Sequence, residues 1–200
     1  MPSVITPFVL AAGRSTRMGR PKPLLPDREG RPFVARIVCT LGVAGLNDVV
    51  VVTGDTHDRV VAALEADQPP VRWECRRNPD PDRGQLSSLW VGLDVAEERG
   101  ADAVLVHLVD IPLVKPETVR AMVDAWRASD ALIARPAIGD QHGHPAVFGR
   151  ETFEALRRAP LDAGVKPLIQ ELGVRVLNVA VADDGCLKDI DLPEEYDAVV

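Results

Sequence analysis

The chain has 200 residues, 46% of them apolar and 26% charged, with a formal net charge of −7 and 4% aromatic residues. That length fits one ordinary domain, 1–200, able to bury its core without disulfide or metal staples. An acidic chain poor in aromatic rings argues against a nucleic-acid polymer as partner, no segment reaches the run of about eighteen apolar residues that spans a membrane, and the N-terminus lacks a signal-peptide pattern.

Strand-like and helix-like segments alternate. Val4–Leu10 reads as a buried strand, Pro32–Val43 as a helix, and the β-branched run Val49–Thr53 as a strand meeting a turn at Gly54. Asp58–Ala66 reads as a short helix, Val71–Cys75 as a strand, Asn78–Gly84 as a loop and Leu86–Glu98 as a helix. Ala103–Val109 is almost wholly apolar, as a central parallel strand covered on both faces should be. Pro116–Ala128 follows as a helix with proline in its first turn. Strands at Ala131–Ala134 and Ala146–Phe148, helices at Glu151–Arg158 and Val165–Leu172, a strand at Val174–Val181 and a helix at Pro193–Val200 complete the chain. The alternation predicts an α/β, Rossmann-like, mainly parallel sheet with helices on both faces. Ligands in such sheets sit outside the carboxyl ends of the strands. Cys39, Cys75 and Cys186 are scattered and form no CxxC pair, which fits reduced thiols and a cytoplasmic location.

The segment with most chemistry runs from Leu10 to Pro26, LAAGRSTRMGRPKPLLP. It leaves the first strand with two glycines and four cations, Arg14, Arg17, Arg20 and Lys22. A glycine-bearing loop lets backbone N–H groups approach an anion, and cations beside it neutralise several phosphate charges at once. Leu10, Ala11, Ala12, Gly13, Arg14 and Lys22 are therefore candidate nucleotide-binding residues. Gly13 is expected to turn the chain sharply, and Pro21 to aim Lys22. The loop is not a GxxxxGK[ST] P-loop, because Gly13 and Gly19 lie one residue too far apart, and it holds no GxGxxG dinucleotide fingerprint. The missing fingerprint argues against a nicotinamide dehydrogenase.

LAAGRSTRMGRPKPLLP resembles the signature LAAGxSxRMGxxKxLLP of the MobA-like nucleotidyltransferases, and within them the molybdenum-cofactor cytidylyltransferase branch. Later segments match in order, so the resemblance covers nearly the whole chain. It implies the nucleotide-diphospho-sugar transferase-like form of the fold. Val104–Val109 ends in Asp110-Ile111-Pro112, similar to the family's GDxP metal site with Val109 in place of glycine. Lys188-Asp189-Ile190-Asp191-Leu192-Pro193-Glu194-Glu195 resembles its DIDTPED segment, with Leu192 in place of threonine. Alternation puts Asp189 and Asp191 on one side of an extended segment, leaving both as metal candidates with Asp110. Asn78-Pro79 and Arg83-Gly84-Gln85-Leu86-Ser87-Ser88 resemble the family's base-reading loop, which makes Gly84, Ser87 and Ser88 nucleotide-binding candidates. Gly143-His144-Pro145 resembles a GHP element near the acceptor pocket.

What the resemblance implies is transfer of a nucleotidyl group, most directly CMP from CTP, onto a small phosphorylated acceptor of the molybdenum-molybdopterin type, with release of pyrophosphate. In that reading Arg17, Lys22 and Asp110 are catalytic. Mg²⁺ is the metal, held by one or two carboxylates together with phosphate oxygens. GTP or another NTP with a different acceptor, and a non-catalytic nucleotide- or cofactor-binding protein, are the alternatives. Two acidic segments exceed what binding alone requires.

Overall fold

The apolar runs become strands because each is covered on both faces. The computed structural model describes residues 3–161 and 164–200. In chain order the elements are β1 (Ile5–Ala11), α1 (Phe33–Val43), β2 (Val49–Thr53), α2 (His57–Asp67), β3 (Trp73–Arg77), α3 (Gln85–Glu98), β4 (Ala103–Leu108) and α4 (Pro116–Arg127). Then come β5 (Ile133–Ile138), β6 (Gln141–His142), β7 (Ala146–Gly149), α5 (Phe153–Arg158), α6 (Lys166–Leu172), β8 (Val176–Ala180) and α7 (Pro193–Asp197). Among the described residues no helix is long and apolar enough to cross a membrane.

Among the described residues the sheet has eight strands in the order β3-β2-β1-β4-β7-β5-β6, with β8 pairing β5. β3, β2, β1 and β4 are mutually parallel, as is β8 on β5. The expected mainly parallel sheet is thus found, with two additions. β7 runs antiparallel to both β4 and β5, and the two-residue β6 runs antiparallel to β5. The cause is chain length. Only residues 139–145 separate β5 from β7, whereas a parallel crossover needs a dozen or more.

Side chains alternate across β1, which splits the core in two. Ile5, Val9 and Ala11 face a cluster with Ile37, Val38 and Leu41 of α1, Leu64 of α2 and Met122 of α4. Phe8 and Leu10 face the other, with Leu89 and Leu93 of α3, Phe153 and Leu156 of α5 and Leu168 of α6. Gly92 lets α3 lie on the Phe8 ring, since a Cβ there would come within 2.7 Å of it. A third, smaller cluster of Met18, Leu25, Phe33, Ile190 and Tyr196 joins the loop after β1 to the C-terminal segment.

One buried group makes this core sensitive to acid. His107, in β4, is fully buried, donates from Nδ1 to the Leu108 carbonyl at 2.9 Å, and has no partner for Nε2. Burial pushes its pKa down from 6.5 to about 4. The folded protein therefore holds His107 neutral where the unfolded chain protonates it, so its contribution is complete above pH 6.5 and is lost as pH falls toward 4. A shift of that size corresponds to about 3 kcal/mol. Urea unfolding measured from pH 7 to pH 4.5 is expected to show stability falling with acid, and His107→Gln to reduce that slope; His144, whose pKa burial also lowers, acts in the same direction.

Candidate active site

β1 and β4 are neighbours whose carboxyl ends lie side by side, and the cleft opens there. It holds about 310 Å³. Leu10, Ala12, Gly13, Ser15, Thr16, Arg17 and Lys22 line it from β1 and its loop, Pro81 and Gly84 from the β3–α3 connection, Gln85 and Ser88 from the first turn of α3, Leu108, Val109 and Asp110 from the end of β4, and Asp191 from the C-terminal segment.

The loop after β1 is shaped by its own hydrogen bonds. The Gly19 N–H donates to the Ser15 carbonyl at 3.1 Å, and the Lys22 N–H to Ser15 Oγ at 3.0 Å. The tight turning is done by Ser15 and Gly19, at φ 53° and 70°, whereas Gly13 has neither a positive φ nor any atom within 4 Å of where its Cβ would stand. That corrects the turning role expected of Gly13: the room kept by the missing side chain is room in the cleft, where a ligand can approach the backbone. Nearby, a Cβ on Gly54 would lie 2.6 Å from the Ala12 carbonyl, so that glycine lets the β2–α2 turn pass behind the loop.

Lys22 is the centre of the charge arrangement. Its side chain is only 10% exposed, and its ammonium lies 3.3 Å from Asp110 Oδ2 and is paired with Asp191 Oδ1. The other oxygen of Asp191 takes the Arg17 guanidinium at 2.7 Å. The hydrogen bond from Lys22, then its charge and that of Arg17, hold the Asp191 carboxyl below the usual carboxylate range despite partial burial. The two carboxylates are joined through the backbone as well, because the Ile190 N–H donates to the Asp110 carbonyl at 2.7 Å. Glu195 Oε2 accepts from the Asp191 and Leu192 N–H groups at 2.7 and 2.9 Å, fixing the turn into α7.

This set fits a hard divalent cation. Asp110 Oδ1 is buried without any partner, a costly state for a carboxylate oxygen unless something positive is meant to meet it. Among the described residues no group of three or more potential ligating side chains is found, so a cation held here would have Asp110 and Asp191 as protein ligands and would need water or phosphate for the rest. That is the usual arrangement for Mg²⁺ or Mn²⁺ at a phosphate-transfer site.

The structure brings Leu10, Ala12, Gly13, Arg17, Lys22, Gly84, Ser88, Asp110 and Asp191 to one cleft, while other sequence candidates stand back from it. Ala11 is buried in β1. Arg14 lies in the adjoining hollow, 2.6 Å from Asp82 and 3.5 Å from Asp55. Ser87 is buried and donates to the Gly84 carbonyl at 2.7 Å, and Asn78 Nδ2 donates to Ser87 Oγ at 2.8 Å and Ser88 Oγ at 3.0 Å. Asp189 is exposed and outside the lining residues. His144 lines a small apolar cavity that shares Leu10, Gln85 and Leu108 with the main cleft, and its Nδ1 is buried and unpartnered. Burial lowers the His144 pKa more than the neighbouring Asp110 charge raises it. Gly143 packs so closely on the Cys186 carbonyl that any Cβ would overlap it, and the cis His144–Pro145 peptide follows.

Two supporting residues are given no role by sequence reasoning. Ser15 occupies the fixed serine of the signature LAAGxSxRMGxxKxLLP without being singled out there, and its hydroxyl bonds local backbone as short hydroxyl side chains often do. Asp183 is buried and accepts from the Lys115 N–H at 2.8 Å, the Thr118 hydroxyl at 2.7 Å and the Gly185 N–H at 3.1 Å. Its Asp-Asp-Gly context signals a turn, but partners more than sixty residues away leave no local trace.

The MobA-like NTP transferase domain matches residues 8–176. The chain is 30% identical to the purine catabolism protein PucB of Bacillus subtilis over 195 residues, covering 95% of this chain and 93% of PucB. It is 27% identical to the protein named Probable molybdenum cofactor guanylyltransferase of Natronomonas pharaonis, over 96% of this chain and 95% of that one. Among solved structures, Rv0371c of Mycobacterium tuberculosis H37Rv superposes with a TM-score of 0.82 at 31% identity, covering 100% of this chain and 98% of that one. A manganese complex of Rv0371c superposes with a TM-score of 0.75 at 29% identity, covering 98% of each chain.

The charge arrangement has a direct readout. In Lys22→Met the main influence depressing Asp191 is gone while Arg17 remains. Carboxyl-carbon NMR titration is expected to show the Asp191 pKa moving up from its wild-type position; an unchanged titration would mean that the ammonium does not control this carboxylate.

Proposed function

The chain belongs to the MobA-like NTP transferase domain family, and from that premise we propose that it transfers CMP from CTP to a small phosphorylated acceptor, molybdenum-molybdopterin cofactor, releasing pyrophosphate. The observation that carries this reading is the convergence of Lys22, Arg17, Asp110 and Asp191 in one cleft at the carboxyl ends of β1 and β4.

The chemistry follows from the charges. The free site holds two cations against two carboxylates and is close to neutral. A triphosphate brings several negative charges, so an added cation is required. In this reading Asp110 and Asp191 hold Mg²⁺, which neutralises charge across the phosphates. The manganese complex of Rv0371c supports a divalent ion, and the place of Asp191 in the cleft supports it over Asp189 as the second arm.

Lys22 and Arg17 exchange their carboxylate partners for phosphate oxygens and stabilise the charge that develops in transfer. Arg14 assists by leaving Asp82. An acceptor phosphate oxygen attacks the α-phosphorus, the bond to the β-phosphate breaks, and pyrophosphate carries the electron pair away. No protein nucleophile is needed; the protein contributes positioning and electrostatics.

Backbone at Leu10–Gly13 and the Gly84–Ser88 turn face the nucleoside in this reading, and Asn78 holds the serine hydroxyls in place. Gly143-His144-Pro145 borders the acceptor side. The match of Gly84–Ser88 and of the GHP turn to the cytidylyltransferase branch supports CTP. The guanylyltransferase name of the Natronomonas relative favours GTP as the second reading. The free thiols of Cys39, Cys75 and Cys186 fit a reducing cytoplasm.

A thermal-shift screen of the four NTPs with Mg²⁺ is expected to rank CTP first, since a ligand at about a hundred times its Kd adds roughly 2.7 kcal/mol; a larger shift with GTP would transfer the assignment to the second reading. With the preferred donor, Lys22→Ala and Asp110→Ala are each expected to lower pyrophosphate release by more than a hundredfold while circular dichroism stays native. Turnover near wild type would remove that residue from the mechanism.

A further inference from the structure

We propose that Tyr196 is a positioning residue for metal binding: it docks the short C-terminal helix onto the phosphate-binding loop and thereby holds Asp191 in the cleft. The proposal rests on the reading of Asp191 as a metal-holding carboxylate.

Asp191 reaches the cleft from the last stretch of the chain, immediately before α7. That helix has five residues, far below the length at which a helix persists on backbone hydrogen bonds alone. Packing must therefore hold it, and the packing is concentrated in one side chain. Tyr196 is 6% exposed and belongs to neither main core; it sits in the separate cluster with Met18, Leu25, Phe33 and Ile190. Met18 lies between Arg17 and Gly19, Leu25 ends the turn that carries Lys22, and Ile190 adjoins Asp191. The cluster thus joins residues that adjoin the cations in sequence to one that adjoins the carboxylate they meet.

Three contacts fix the ring. The Tyr196 hydroxyl donates to the Pro26 carbonyl at 2.8 Å. Phe33 lies tilted against it with ring centroids 5.9 Å apart, and the Arg20 guanidinium sits over it at 5.1 Å. The Arg28 Nε–H donates to the Val199 carbonyl at 3.0 Å, a second strap across the same seam. Both faces of this seam carry a charged group of the cleft, so the ring sets the distance between loop and carboxylate. Without it, Asp191 keeps its backbone tie through Ile190 but loses the surface that presses α7 onto the loop, and the two carboxylates no longer present a fixed pair to a cation.

The test uses full-length protein and measures Mn²⁺ binding by electron paramagnetic resonance in the presence of CTP. Asp191→Asn serves as the reference and is expected to weaken Mn²⁺ binding. Tyr196→Ala is expected to raise the Mn²⁺ dissociation constant about tenfold or more per folded molecule, while Tyr196→Phe, which keeps the ring between Phe33 and Arg20, stays within about twofold of wild type. A merely structural role lowers the folded fraction without moving that constant. Tyr196→Leu replaces the alanine variant if the latter fails to fold. Wild-type Mn²⁺ affinity in folded Tyr196→Ala or Tyr196→Leu, with Asp191→Asn weakened, overturns the proposal alone; unchanged affinity in Asp191→Asn overturns the metal reading beneath it.

Discussion

An ammonium held between two carboxylates from distant parts of the chain is the constraint around which the cleft is built. Lys22 meets Asp110 and Asp191, 88 and 169 residues further on. Three segments must therefore be brought to one point: the loop leaving β1, the end of β4 and the approach to α7. Burying a lysine is unfavourable unless its charge is matched, and a pair of carboxylates brought together repel unless a cation lies between them. The arrangement meets both demands with no ligand bound. In the proposed reading, the cations paired here would turn to phosphate oxygens and the two carboxylates would be left to hold a metal ion.

How much of this the sequence discloses depends on how local each cause is. β2, α3 and β4 are legible because β-branched or apolar runs and helical spacing act within a few residues, and their ends agree with the structure to within a residue or so. β6 is not legible: two polar residues, Gln141 and His142, carry no periodicity and form a strand only because β5 lies beside them. The cleft residues on the phosphate loop and at Asp110 are legible because their chemistry lies in contiguous motifs. The choice between Asp189 and Asp191 is not, because alternation treats the two alike. What separates them is tertiary: the Ile190 N–H on the Asp110 carbonyl and the pairing of Asp191 with Lys22 and Arg17. Ser87 illustrates the converse. Its motif position marks it for the nucleotide, yet its hydroxyl is committed to Asn78 and the Gly84 carbonyl, so its direct effect is on the shape of the loop.

The rival readings differ in what they ask of this arrangement. A protein that merely bound a nucleotide would be served by the cations and the backbone of the first loop. A carboxylate oxygen buried and unpartnered at Asp110 repels phosphate until a cation intervenes, so either reading asks for a metal-bound nucleotide, and pyrophosphate release separates the two. A dehydrogenase would need a glycine-rich turn placing a pyrophosphate at a helix N-terminus. Here the loop after β1 leads instead into a short helical turn at Lys22–Leu24 that brings a lysine side chain, not helix N–H groups, to the cleft.

The antiparallel strand β7 brings a second stretch of chain to the end of the sheet where the cleft opens. A further parallel strand beside β4 would begin at the far end of the sheet and bring only its last residues to the cleft. Because β7 runs the other way, with Ala146 paired to Val106 and Gly149 to Ala103, its first residues stand at the carboxyl end of β4, and the Gly143-His144-Pro145 turn that leads into it arrives beside Asp110. The His144 N–H then donates to the Cys186 carbonyl at 2.9 Å, and Gly143 and Gly185 allow close backbone contacts, on Cys186 and Leu113 respectively, that no side chain would fit. The same reversal that ends the parallel half of the sheet thus ties the histidine turn to the stretch leading to Asp191. In the proposed reading the parallel half would supply the loop and carboxylate for the nucleotide, and the reversed strand the wall beside them for the acceptor.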